Sequence, residues 1–280
     1  MIRKVRPLAP LAVAMKYVSL ILGCLMALVP LVTIFMASLK TKAEMKKVAP
    51  FTPPNNWFNT DNYVKAFDKG RMGHAFVNTS IILLISVVGT ILLGSMVAYA
   101  VDRFEFRLKK TVLVGFLLAA LVPSVTTQVA TFRVVNSLGL FNTRWAAIVL
   151  FMGTDVISIY IFLQFLRAIP RSIDEAALVD GASHFTIYRK LILPLLKPAI
   201  ATVVIIKGVA IYNEFYTPFL YMPDPDLGVV STSLFKFKGP FGSQWEVISA
   251  GVVIAMVPTL IVFLLLQKHI YNGLTRGAVR

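Results

Sequence analysis

The sequence predicts an all-α integral membrane protein with six transmembrane helices, and three observations predict it. Hydrophobic residues make up 57% of the 280 positions and charged residues only 15%, whereas a soluble domain is nearer half apolar and a quarter charged. Six apolar runs reach the ~20 residues a helix needs to cross a bilayer core at ~1.5 Å per residue. The 28 Lys and Arg outnumber the 13 Asp and Glu, yet they are spread over the segments between those runs and form no stripe with interleaved aromatics. The net charge of +15 therefore points to membrane topology and anionic lipid, not to nucleic acid.

The first run, 17–38, follows Arg3, Lys4, Arg6 and Lys16. It is longer than the ~7 to 15 apolar residues of a secretory signal and is expected to remain as a span. The second, 75–99, carries Gly89, Gly94, Ser95 and Ala98, whose small side chains suit close packing against another helix. The third, 111–130, contains Pro123, and the sixth, 247–266, contains Pro258; a kink is expected at each. The fourth and fifth runs are 145–165 and 199–221. Between the first two lies the segment 39–74, in which Pro50, Pro53 and Pro54 predict an extended stretch on the membrane surface. Basic residues set the orientation: Arg103, Arg107, Lys109 and Lys110 crowd the short turn 102–110, against two basic residues in each of the loops 131–144 and 222–246. This places both termini in the cytoplasm.

Residues 1–280 are read as a single membrane domain, with no internal repeat and no polar stretch long enough to fold apart. No GxxxxGK[ST], HExxH or GxSxG motif is present, so no catalytic residue is assigned, and ATP-driven chemistry would need another chain. Cys24 is the only cysteine, and His74, His184 and His269 lack metal-ligand spacing, so no metal is assigned.

The segment 169–198 carries helix punctuation. Ser172 and Glu175 form an S-x-x-E capping box, and Asp174 adds a carboxylate where the helix dipole favours one. Gly181 supplies the positive φ that ends this first helix, Ser183 caps a second, and Pro194 and Pro198 are expected to stop that one before the fifth span. The corner between the two helices exposes the small residues Ala176, Ala177, Gly181 and Ala182.

Glu175-Ala-Ala, Gly181 four residues after Ala177, and Ile192-Leu-Pro-Leu resemble the EAA signature of binding-protein-dependent ATP-driven importers. Phe76-Val-Asn-Thr-Ser, Ala98-Tyr-Ala-Val-Asp-Arg-Phe, Leu121-Val-Pro and the ending Gly273-Leu-Thr-Arg-Gly-Ala-Val-Arg resemble the second, six-span permease of maltose-type and multiple-sugar transporters. The resemblance covers essentially the whole chain, and it implies a type I importer permease fold. In it the 169–198 loop docks on the ATPase through Glu175, Ala176, Ala177, Asp180, Gly181 and Ala182. It further implies a homologous second permease packed against the small residues of the second span, two ATP-binding subunits holding ATP and Mg, and an extracytoplasmic sugar-binding protein. Tyr212-Asn-Glu-Phe replaces the family's W-N-[DE]-F, and Lys207 stands where an apolar or small residue is usual; both departures bear on which sugar is carried.

Asp155, Lys207 and Glu214 are the formal charges within the spans, and each costs a few kcal/mol in lipid unless paired or hydrated. Counting helical rise from the two ends of the bilayer puts Asp155 and Lys207 at similar depth, so they can pair. Glu214 follows Lys207 by seven residues on the same helical face, flanked by Asn213 and Tyr216. Two readings stay open: a polar path for a hydroxyl-rich solute, or an ion pair that joins two helices. A third arrangement, an ion relay through Asp155, Lys207 and Glu214, would make the chain a secondary transporter.

Overall fold

A computed structural model describes residues 10–278 apart from 48, 50, 154, 240 and 241, with side chains over 12–265 other than those residues and Ser124. The chain divides into two compact units. One runs to Gly70 and resumes over Leu234–Thr259, and the other holds Arg71–Ser233 and the chain beyond Leu260.

In the first unit α1 (Pro10–Leu39) is a single unbroken helix. Its side chains are exposed from Val13 to Phe35 on nearly every face, as befits a lipid-facing span, and become buried over 36–40. The segment that follows is not an extended strap. It contains α2 (Lys42–Lys47) and α3 (Asp61–Lys69), and it folds back onto the end of α1. Asn62 Nδ2 donates to the carbonyls of Ser38 and Lys40, each at 2.8 Å, and Asn59 Nδ2 donates to that of Leu39 at 3.0 Å. These amides satisfy carbonyls that a helix end leaves open, a task that the prolines of 50–54 gave no hint of.

The second unit is built on α4 (Met72–Arg103), against which α7 (Arg144–Met152), α8 (Val156–Arg167) and α12 (Lys197–Asn213) pack. With lipid as solvent, close van der Waals fit drives such packing, and small residues permit it. A Cβ on Gly89 would lie 2.6 Å from Met152, and Ser95 and Ala98 are fully buried. The small residues of the second span thus admit helices of their own chain, Gly89 against Met152 and Gly94 against Phe162. The buried face includes Tyr99, Phe162, Leu166, Ile187, Tyr188 and Ile192.

Three of the expected continuous spans are broken, the fifth run after Asn213, where α12 ends. The third run splits into α5 (Lys109–Leu121) and α6 (Ser124–Ser137), related by 106°, so Pro123 makes a corner, not a kink. Having no amide, it cannot donate to Ala119, and its own carbonyl accepts Thr126 N at 3.0 Å to start the next helix. The fourth run bends by 41° between α7 and α8. The last expected helix, in contrast, is unbroken through Pro258 as a single element from Trp245 to Ala278. Among the described residues three helices are long and apolar enough to cross a membrane alone, and up to six spans are counted if each bent pair is one span. The Gly273 ending falls outside the described side chains.

Candidate functional site

The 169–198 loop begins with a turn that Pro170 shapes. Ile173 N donates to the Pro170 carbonyl at 3.3 Å, and the Asp174 and Glu175 amides both go to Arg171 O. The helix α9 (Ser172–Val179) therefore starts one residue earlier than a Ser172 cap would have it. Ser172 sits in the first turn, the capping box with Glu175 does not form, and Glu175 is exposed. Asp174 turns inward instead. Its carboxylate lies 2.7 Å from Arg103 Nε, as an ionic contact in which neither carboxylate oxygen accepts an aligned hydrogen bond. Arg103 also pairs with Asp102 at 2.9 Å and donates to Ile169 O at 3.0 Å, while Arg171 donates to Asp102 O at 2.8 Å. Burial pushes the Asp174 carboxyl above its ordinary range, against the pull of Arg103.

At the corner, Gly181 has φ +80°, Gly181 N donates to Leu178 O, and Ala182 N donates to Ala177 O. This is a Schellman end, which needs a residue free to be left-handed. Ser183 Oγ then accepts Thr186 N at 3.3 Å and caps α10 (His184–Ile187). The helix does not stop at Pro194. It widens into a π turn over Tyr188–Ile192 and continues as α11 (Leu193–Leu195), and the chain then bends by 72° into α12, which has Pro198 in its first turn. A π turn just before a proline removes the clash of its ring with the carbonyl four residues back. The Tyr188 hydroxyl bonds Ser95 Oγ at 2.8 Å, and the Phe104 and His184 rings meet edge-on at 4.9 Å.

These contacts hold one face of the loop and leave the other open. Glu175, Ala176, Asp180 and Gly181 are exposed, while Ala177 and Ala182 are half-buried against the core. Val179, 88% exposed, and Phe185, 63% exposed, stand beside them. Neither belongs to the capping pattern of the loop, and two apolar side chains outside the spans are the signal in the sequence that points to them.

Of the charges within the spans, Lys207 Nζ lies 3.3 Å from Asp155 Oδ2, and Asp155 also accepts from Ser158 Oγ. Asp155 stands at the break before α8, where the backbone leaves its helical path. Glu214 does not share a face with Lys207. The helix α12 ends at Asn213, and Glu214 Oε1 accepts the amides of Tyr216 and Thr217 at 2.9 and 3.0 Å, capping α13 (Tyr216–Tyr221). Ser231 Oγ donates to the Glu214 carbonyl at 2.7 Å. Asn213 is exposed with Nδ2 donating to Val209 O, and Tyr216 is exposed with its hydroxyl on Gln128 Nε2.

At the other end of α4, Asn78 is buried and gathers three partners: Nδ2 donates to the carbonyls of Asp226 and Gly228 at 2.8 and 3.0 Å, and Oδ1 accepts Arg144 Nε at 2.8 Å. Thr79 Oγ1 accepts Val230 N at 3.0 Å, ahead of α14 (Val230–Ser233). The Asn-Thr pair of Phe76-Val-Asn-Thr-Ser thus anchors the segment that follows α13.

Over 256 residues the chain is 31% identical to the melibiose/raffinose/stachyose import permease protein MelC of Bacillus subtilis, covering 90% of this chain and 91% of that one. It is also 31% identical over 271 residues to the multiple sugar-binding transport system permease protein MsmG of Streptococcus mutans, covering 95% and 96%. A chain from the crystal structure of a bacterial ABC transporter involved in import of the acidic polysaccharide alginate superposes with a TM-score of 0.81. That match has 21% identity over 94% of this chain and 99% of the other, a likeness of fold. Residues 90–276 match the family model described as binding-protein-dependent transport system inner membrane component. The match takes in the Asp102–Arg103 clamp, the Gly181 corner and the broken spans together, and the chain belongs to that family of multi-pass ABC importer permeases.

Proposed function

We propose that this chain is one of two permease subunits of an ATP-driven importer for a sugar or oligosaccharide. It spans the membrane six times with both termini in the cytoplasm. A solute-binding protein delivers the carbohydrate on the far side, and two ATP-binding subunits, loaded with ATP and Mg, dock on the 169–198 loop. The observation that carries the reading is the loop itself. Glu175, Ala176, Asp180, Gly181 and Val179 form an open corner, while Asp174 and Tyr188 join its other face to α4. A push on the corner is then transmitted to a membrane helix. The named sugar cargoes of MelC and MsmG support carbohydrate as the substrate class. Asp155, Lys207, Asn213, Glu214 and Tyr216 are proposed to border the solute path. An ion relay finds no support: Asp155 is paired with Lys207, and Glu214 is held by backbone amides.

The test is made on the corner. Ala176→Trp and Val179→Asp alter exposed positions, so membrane insertion and permease pairing are expected to survive while ATPase capture and sugar-stimulated hydrolysis are lost. Ala177 is unsuitable, because bulk there would disturb the core it packs against. Hydrolysis and uptake unchanged in both variants would overturn the coupling role of the loop.

A further inference from the structure

The segment that folds back on the end of α1 is internally stapled and yet presents large aromatics outward. Lys40, 1% exposed, is enclosed, with Nζ donating to Ala49 O at 3.4 Å and Thr52 Oγ1 at 3.5 Å. Glu44 reaches two amides, Thr41 N at 2.6 Å and Asn55 N at 2.8 Å, and those bonds hold its carboxyl below the usual carboxylate range. With Asn59 and Asn62 on the last carbonyls of α1, the result is a collar around residues 36–40. Phe58 is 89% exposed, and Phe51 and Trp57 are exposed beside it. A collar so fully bonded within itself has no internal use for those rings.

We infer that this collar is an interfacial anchor, seated in the headgroup region of the bilayer, with lipid as its occupant. Two arguments carry this. The first is continuity: the exposed apolar surface of α1 stops at Phe35, where the collar begins, and Trp57 and Phe58 lie within two residues of Asn59, which bonds Leu39 O. At ~3.5 Å per residue their backbone lies within about 7 Å of that of Asn59, whose side chain reaches the helix end. The exit of a membrane helix is the membrane–water boundary, where Trp and other amphipathic side chains concentrate. The second is charge: the one carboxylate of α2, Glu44, is turned to backbone amides, which leaves Lys42, Lys46 and Lys47 exposed for anionic headgroups.

The experiment uses the whole transporter in nanodiscs of phosphatidylcholine and phosphatidylglycerol, with Trp145→Phe and Trp245→Phe leaving Trp57 as this chain's only tryptophan. The emission is read as the difference from the same complex carrying Trp57→Phe in addition. A headgroup spin label is expected to quench this difference emission several-fold more than bromine placed deep in the acyl chains. If the background substitutions impair assembly, the Trp57→Phe difference is taken in the otherwise unaltered complex. Quenching by aqueous iodide alone, with no response to either lipid probe, would overturn the inference. So would protection of Trp57 from iodide only when the binding protein is added, which would make the collar a protein-docking surface. Sugar-stimulated ATP hydrolysis, followed in the same nanodiscs, reports separately on the proposed function.

Discussion

At residue scale, two carboxylates outside the spans are held in opposite ways and respond to pH with opposite sign. Glu44 accepts amides and its pKa is lowered from 4.5. Its contribution to the collar is complete above the unfolded value and is lost as the pH falls through the folded one. Hydrogen-exchange protection of the Thr41 and Asn55 amides is expected to drop in acid, and Glu44→Gln should remove that pH dependence. Protection independent of pH in the unaltered chain would contradict the staple. Asp174 is raised from 3.8 by burial, so its folded form binds the proton more tightly, and stability falls as the pH rises through the folded value. Asp174→Asn is accordingly expected to change thermal stability by less than about 1 kcal/mol at neutral pH, since Arg103 keeps Asp102 and Ile169 O.

At the scale of elements, α4 and α9 meet through one guanidinium. Arg103→Met would leave Asp102 and Asp174 buried without their cation, at a cost of about 3 kcal/mol. Because Asn in place of Asp174 removes the charge and Met in place of Arg103 strands it, the two variants are expected to diverge. Detergent-solubilised complexes should show a lowered melting temperature and loss of coupled hydrolysis for Arg103→Met, with near-normal behaviour for Asp174→Asn. Equal losses in both would mean that the clamp acts by shape and not by charge. The breaks between α5 and α6 and between α12 and α13 follow the same logic of satisfied groups: Thr126 serves the Pro123 carbonyl, and Glu214 and Ser231 serve both sides of the second break.

At the scale of the whole molecule, the Asp155–Lys207 pair joins α12 to the start of α8, where both lie within apolar runs long enough to span a membrane as bent pairs. Lys207→Met strands a carboxylate in a low-dielectric site, whereas Asp155→Leu with Lys207→Met removes the pair together, so the double variant should recover most of the folding lost by the single one. Yield and melting temperature of the assembled importer measure this directly. Additive losses would show that the two side chains do not interact. Uptake by the double variant then reports whether the charges matter to the solute after folding is restored.

The sequence by itself marked the apolar runs long enough to cross a bilayer, because length and apolarity are properties of the run alone. It also determined the corner of the 169–198 loop, because a positive φ at Gly181 and a hydroxyl cap at Ser183 are local necessities. Only the tertiary structure decided where the spans break. Hydropathy summed along a run is blind to the direction of the helix axis, and a break is tolerated only if other groups satisfy the backbone it frees, as Ser231 does for Glu214. The same holds for Asp174, which local pattern assigned to a helix dipole and tertiary packing gave to Arg103, and for Asn78, whose partners Arg144, Asp226 and Gly228 lie 66, 148 and 150 residues away. Pairing partners so distant along the chain leave no mark in the pattern of either segment, and only the folded chain brings them together.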